Sequence, residues 1–571
     1  MQRDKIDTAQ AKDDFPKLSV SARVRLKNEE LRQQVKEQRR IVRLSSNRMP
    51  KALKFSTSKL ILIVFMLAVQ LAVLVVGFVI LRSYINATVL LITEKMAAVL
   101  FAVYIINAKI PNEYKLIWVI VVLFLTGFGM AAYVIFGRKS LTKRKRKQLG
   151  RKIDNVLAQC VQDEKLLDEA QRQDSFLCET AQYIYANGKM PLGKSDEAKY
   201  FSIGEDFFEQ LKAELSDAKK FIFMEYFIIG EGRMWEELFE ILSQKARNGL
   251  DVRIIYDDFG SLPVLPKRFG KNCLDAGIKL YCFNRVRPVL DVAQNNRTHR
   301  KITVIDGKCA FTGGLNIADE YINLVNKHGY WKDTGVMIKG GAVANFTRMF
   351  LINWAAKYGK EDFSGFMPTE NERIGDEGPG SKKRLRNSGN GIFCVPFCDT
   401  PGTGRTICES LYIKMIYNAK KYVYINTPYL IISEKVRDAL ITAAESGIDV
   451  RITVPHVPDK KFVFALTRAF YMPLVLAGVK VYEFKPGFVH AKSMVSDDKY
   501  VVIGSSNMDF RSFYLHYECD IFMYKGIAKE LRADYEETCG YSILITQKQV
   551  ESVSFIKRVI AAVLRLFAPL M

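Results

Sequence analysis

The chain has five histidines in 571 residues, and two of them stand in the same surroundings. In RTHRKITVID (297–306), His299 is followed by Lys301 and Asp306; in FVHAKSMVSD (488–497), His490 is followed by Lys492 and Asp497. The match continues at the same offsets, to Gly313 and Asn316 in the first copy and Gly504 and Asn507 in the second. At about one in twenty per residue type, five fixed identities arise by chance at roughly 3 × 10⁻⁷ per start position. Two copies in corresponding places therefore record a duplication. Imidazole can attack phosphorus or carry a proton near neutrality. Ammonium and carboxamide groups hold phosphate oxygens and stabilise the charge of in-line displacement. Two His, two Lys and two Asn brought face to face fit a phosphodiester. One imidazole would become a covalent phosphohistidine; the other would protonate the departing alkoxide and then deprotonate the incoming hydroxyl. This chemistry requires no metal or other cofactor, because ammonium and amide groups supply the electrostatics. It requires no nucleotide, because one diester is exchanged for another.

The elements that must position these groups follow from periodicity. THRKITVI and HAKSMV read as strands, in which residues i and i+2 share a face, so each His projects with its Lys. Asp306 and Asp497 complete the two catalytic motifs but have the opposite parity, at turns. A carboxylate aimed at the same anion would repel it, so they are expected to brace the loops. Gly-Gly-Leu-Asn (313–316) and Gly-Ser-Ser-Asn (504–507) allow close backbone approach. Gly314 and Ser505 are therefore expected beside Asn316 and Asn507 in contact with substrate. The repeat extends upstream: AKKFIFMEYFII (218–229) resembles AKKYVYINTPYLII (419–432), and NGLDVRIIYDD (248–258) resembles SGIDVRITVPH (446–456). Short β-rich runs alternate with helical stretches, which predicts an α/β fold of two related αβα lobes in a pseudo-twofold sandwich. The lobes are expected at 196–361 and 392–548, joined by a Gly-, Pro- and charge-rich linker at 362–391.

The rest of the chain points to a membrane. Lys and Arg number 84 against 61 Asp and Glu, a net charge of +23 that suits a polyanionic partner. LILIVFMLAVQLAVLVVGFVIL (60–81) is uncharged and long enough to cross a bilayer, as is the run within 115–136. The membrane region is thus expected at 60–137, between a basic tail (1–59) and a basic linker and helix (138–195). RKSLTKRKRKQLGRK (138–152) carries nine basic residues and no acidic one. Basic flanks stay cytoplasmic, which places both ends of a two-helix hairpin inside. The intervening 89–108 is apolar but contains Glu94 and Lys95, so an interfacial or re-entrant segment is expected there. Residues 549–571 read as an amphipathic helix with Val553, Ile556, Ile560, Val563, Leu564 and Phe567 on one face; a bilayer surface or the protein's own core could cover it. Ten scattered cysteines signal neither a zinc site nor a disulfide framework and are read as reduced thiols.

The doubled HxKxxxxD motif with its following Gly and Asn resembles the phospholipase D superfamily. NNRTHRKITVIDGKCAFTGGLNIADEYI, WKDTGVMIKGGAV and GFVHAKSMVSDDKYVVIGSSNMDFRSF are similar to the bacterial cardiolipin synthases, a likeness running from about residue 60 to 571. It implies two phospholipase D-like lobes on the cytoplasmic side of a bacterial cell membrane, anchored as a multi-pass protein. It implies phosphatidylglycerol as substrate, cardiolipin as product and release of glycerol. It further implies His299 as nucleophile, His490 as general acid and base, and Asp333 and Glu518 as acidic residues that orient the histidines. A phospholipase D-type hydrolase, or a transferase with another donor or acceptor lipid, is the alternative. Neither nucleic acid nor nucleotide is expected as a partner, and two lobes already complete one site, so no oligomer is required. GKMPLGKS (188–195) satisfies the P-loop pattern, but a helical stretch precedes it and Pro191 interrupts it. His328, His456 and His516 are read as surface or strand-end residues. Tyr429 and Trp331 are read as either core or a lipid entrance.

Overall fold

The computed structural model of the chain describes residues 87–137 (apart from 109 and 111), 160–287, 292–359, 361–367, 391–401 and 406–568, with isolated positions among 68–76 and 151–156. The tail 1–59, the expected span 60–81, most of the basic cluster 138–152 and the linker 368–390 lie outside the described residues. At the membrane end, Ala87–Ile106 (α1) packs against Asn112–Ala132 (α2). Helix α2 is long and apolar enough to cross a bilayer. The expected 89–108 segment falls largely within the helix Ala87–Ile106. Its Glu94 carboxylate accepts a hydrogen bond from Thr126 of α2 at 3.2 Å, which gives the charged group a partner inside the helix pair.

Two mixed sheets follow. The first runs β2 (Glu197–Phe201), β9 (Gly335–Lys339), β7 (Cys309–Gly313), β6 (Lys301–Ile305), β3 (Phe221–Tyr226), β4 (Asp251–Asp257), β5 (Lys279–Phe283). The second contains the same order in the next half of the chain: β10 (Ile392–Asp399), β19 (Glu518–Tyr524), β17 (Tyr500–Gly504), β16 (Ser493–Ser496), β11 (Tyr422–Asn426), β13 (Asp449–Pro455), β14 (Lys480–Phe484). The duplication seen in the sequence is thus a duplication of sheet topology. In each sheet three consecutive strands pair in parallel through helical crossovers, and the motif hairpin pairs antiparallel beside them. FIFMEY and YVYIN are buried at every position, as strands covered on both faces require.

Helix Val343–Tyr358 (α3) is buried along most of its length and touches β3, β6 and β7 of the first sheet and β10 of the second. Phe350 on α3 stacks on Phe223 of β3 at 4.5 Å, and one apolar core runs through residues of both sheets. Residues 160–195 are more than a linker. The helix Ser175–Gly188 buries Leu177, Ala181 and Ile184, and Gly193–Ser195 (β1) joins the edge of the second sheet beside β10. At the far end, Phe555–Phe567 (α4) touches α2 and leaves Phe555, Ile556 and Ile560 exposed.

Candidate active site

The motif histidines sit just ahead of their strands. β6 begins at Lys301 and β16 at Ser493, so His299 and His490 precede the ladders instead of lying within them. Each is drawn out by pairing with the other sheet's half of the chain. His299 N donates to Tyr517 O (2.9 Å) and Tyr517 N to Arg297 O (2.8 Å). On the other side, β15 (Gly487–Val489) pairs in parallel with β8 (Tyr330–Lys332), and His490 N donates to Lys332 O (2.7 Å). The residue following each foreign pairing is a carboxylate, and this builds two crossed dyads. Nδ1 of His299 lies 3.0 Å from both carboxylate oxygens of Glu518. Nδ1 of His490 lies 2.7 Å from Oδ2 of Asp333. A carboxylate on Nδ1 fixes the tautomer and leaves Nε2 to face a substrate.

Electrostatics follow from burial. Burial pushes both imidazoles well below their ordinary range; for His299 the Glu518 charge pulls the other way, and for His490 Lys492 and Lys301 add to the depression. Neutral imidazole is the form a nucleophile needs. Burial would raise the Glu518 carboxyl, but His299 and His516 outweigh it and hold the group well below the carboxylate range. Asp333 is instead pushed up to about 6 by burial, against the pull of Lys492. Burial lowers Lys301 to about 8 and Lys492 to about 7. Lys301 acts on both His490 and Lys492, so the two motifs share one electrostatic site. Each lysine Nζ donates to the backbone carbonyl of its own histidine.

Asp306 and Asp497 lie at the far ends of the strands and outside the reacting centre. Asp306 accepts from the backbone N–H groups of Lys219, Lys220 and Phe221; Asp497 accepts from Lys420, Lys421 and Tyr422. Both adopt left-handed backbone, with φ of 55° and 54°, a conformation that Asp tolerates. Their place is as braces on the neighbouring strand. Asn316 accepts from Ile228 N and donates to Tyr321 Oη, and Asn507 donates to Asp509, so each carboxamide has one further N–H to offer. Gly314 and Ser505 each lie against the acid of a dyad. A Cβ on Gly314 would lie 2.0 Å from Asp333 Oδ1, while Ser505 Oγ donates to Glu518 at 2.5 Å.

Several residues were not legible from the motif. Thr298 and Asn353 both donate to the buried Glu225, and Arg300, fully enclosed, donates to Glu518 O and Met349 O. These bonds fix the segment that carries His299. His516 is a strand-end residue, two positions ahead of β19, but it is largely enclosed: its side chain is 10% exposed, its ring centroid is 5.4 Å from that of His299, and its Nδ1 is 3.5 Å from Glu518 Oε1. Among the described residues, His299, His516 and Glu518 bring three potential metal-ligating atoms within 4.8 Å of one another; here the carboxylate lies between the imidazoles and the three form a polar cluster. Trp331 packs on His490, with centroids 5.2 Å apart. His456 is bound to Glu483, and Tyr429 donates to Asp459. The P-loop-like run closes a helix and enters β1, with Lys194 paired to Glu169.

Residues 211–345 and 412–539 match the family model described as cardiolipin synthase, PLD-like domain, and residues 96–138 match that described as phospholipase D-nuclease N-terminal. A cardiolipin synthase of Halalkalibacterium halodurans is 32% identical over 88% of this chain and 98% of its own length. One of Alkalihalophilus pseudofirmus is 33% identical over 80% of this chain and 88% of its own length. An uncharacterized protein of Streptococcus mutans is 37% identical over 82% of this chain and 99% of its own length. Paired histidine–lysine motifs on duplicated mixed sheets, matched by this family, define an enzyme of the phospholipase D-type phosphatidyltransferase kind. The chain belongs to the cardiolipin synthase family.

Proposed function

We propose that this enzyme joins two phosphatidylglycerol molecules into cardiolipin and releases glycerol. The observation that carries the reading is the pair of crossed dyads, in which each motif histidine is braced by a carboxylate from the other half of the chain. Nε2 of neutral His299 attacks phosphorus of the first lipid, forming a P–N bond as the P–O bond to glycerol breaks. His490 gives a proton to that oxygen, and glycerol leaves. The hydroxyl of a second phosphatidylglycerol then passes its proton to His490 and attacks phosphorus. The P–N bond breaks, both histidines return to their starting states, and one diester has replaced another. His490 must be protonated for the first step, although burial and the nearby lysines favour the neutral form. A bound phosphodiester supplies the missing negative charge, drawing Lys301 and Lys492 to its oxygens and favouring the imidazolium. Asn316 and Asn507 offer amide protons to the same oxygens. The catalytic half is assigned to the cytoplasmic side of a bacterial membrane by the basic flanks, with α2 and the exposed face of α4 meeting the bilayer.

Purified protein in phosphatidylglycerol liposomes, without nucleotide, is expected to yield cardiolipin and free glycerol by mass spectrometry. Phosphatidic acid as the sole product would replace the transferase with a hydrolase. Cosedimentation with the same liposomes is expected to fall when residues 549–571 are removed.

A further inference from the structure

Besides the exchange of Glu for Asp and Ser for Gly, the two half-sites differ in the ring that packs beside each histidine. Trp331 stands two residues before Asp333, and His516 stands two residues before Glu518. Both rings pack beside a motif histidine, at 5.2 Å for Trp331 and His490 and 5.4 Å for His516 and His299. Both face the carboxylate of the dyad. The duplicated scaffold thus presents an indole to one dyad and an imidazole to the other. The orientation of His516 is fixed from behind. Its Nε2 accepts from Arg511 Nε at 3.4 Å, which places the ring proton on Nδ1, 3.5 Å from Glu518 Oε1. Glu518 therefore bonds to two side-chain donors, His299 and Ser505, while the Nδ1 edge of His516 lies 3.5 Å away without a hydrogen bond to it.

Resting on the reading that His299 is the attacking nitrogen, we propose that His516 is a positioning residue of the nucleophile. Its ring lies against the Glu518 carboxylate that braces His299, with Nδ1 3.5 Å from Oε1, packing that carboxylate in place and limiting the negative charge concentrated on His299, so that the imidazole stays ready to attack. The charged and titratable groups facing His299 are Lys301 on its own segment, Glu518 at the start of β19, and His516, with Arg511 behind it. Of these, Glu518 favours protonation of His299, whereas Lys301 and His516 oppose it. Removing His516 thus has two consequences of different kinds. Glu518 loses a restraint, which lowers kcat, and His299 becomes more basic, which moves the acid limb of the rate profile to higher pH.

The test compares full-length wild type, His516→Phe and His516→Asn in phosphatidylglycerol liposomes, with thermal unfolding as a check on folding. A p-nitrophenyl phosphodiester serves as a second substrate that reports attack on phosphorus without a lipid. His516→Phe is expected to lower kcat about 10-fold at unchanged KM and to shift the acid limb upward by about half a pH unit or more. His516→Asn, whose amide can replace the Nδ1–H, is expected to stay within about 3-fold of wild type. Wild-type kinetics in His516→Phe, or equal losses in both variants with an unmoved acid limb, would overturn the proposal. Wild type that cleaves the chromogenic ester but leaves the lipid untouched would instead overturn the lipid reading, and the His516 comparison would still be decided on the ester.

Discussion

Two half-sites grew from one repeat and ended in different electrostatic states. Around His299, a glutamate gathers Ser505 and His516 and stays firmly ionised. Around His490, an aspartate is held at shorter range, beside Trp331, and its carboxyl rises to about 6. The small residue behind each acid enforces the split. Ser505 fits because Glu518 offers an oxygen at 2.5 Å, whereas a side chain at Gly314 would collide with Asp333. The lesson is that duplication supplies matching groups, and a few neighbours then assign them different work. In the proposed cycle, the firmly ionised acid suits a histidine that becomes a cationic phosphohistidine. In the same cycle, the more easily neutralised acid suits a histidine proposed to exchange a proton twice.

The comparison breaks most completely if the histidines themselves are removed. His299→Asn and His490→Asn are each expected to cut cardiolipin formation by about 10⁴-fold in the liposome assay, since groups acting as a unit fail together. Next come the acids. Glu518→Gln is expected to cost about 10³-fold in kcat and Asp333→Asn about 10²-fold, by loss of the ionised Nδ1 partner; equal losses would erase the asymmetry. Asp306→Ala and Asp497→Ala sharpen the contrast from outside the site. Each removes an acceptor of three backbone N–H groups and is expected to cost about 2–3 kcal/mol of stability. The remaining folded enzyme should keep its kcat within a few-fold, measurable by urea unfolding alongside kinetics.

A smaller effect separates the two halves by pH. The folded state holds His299 and His490 below their unfolded values, so their stabilisation is present above about pH 6.5 and is lost as pH falls. Each contributes up to about 1.4 kcal/mol per pH unit. Asp333 works in the opposite sense. Its folded value lies above the unfolded one, so stability is regained between pH 6 and the ordinary aspartate range. Glu518, held low, adds stability above the ordinary glutamate range that is lost as pH falls further. Unfolding temperatures from pH 7.5 to 5 should therefore fall, and fall more steeply in Asp333→Asn, where the offset is gone. The least change is expected from Ser505→Ala, about 1 kcal/mol for one buried hydrogen bond to Glu518.

The sequence alone determined which groups are available for the proposed chemistry. Rare histidines at fixed offsets from Lys, Gly and Asn can be counted without coordinates, and an α/β alternation repeated about 200 residues apart implies two copies of one sheet. Bracing by Asp306 and Asp497 was legible from strand parity, because side-chain direction alternates residue by residue. Tertiary structure decided what parity cannot express. His299 and His490 lie just outside their strands because each segment pairs with β-structure from the other half of the chain. That pairing delivers Glu518 to His299 and Asp333 to His490 across 219 and 157 residues of sequence. It also carries His516, one residue before the bridge, into the centre, where a lone histidine in SFYLHYECD gave no warning. Local pattern fixes which residues share a face; only chain closure over such separations decides which faces meet.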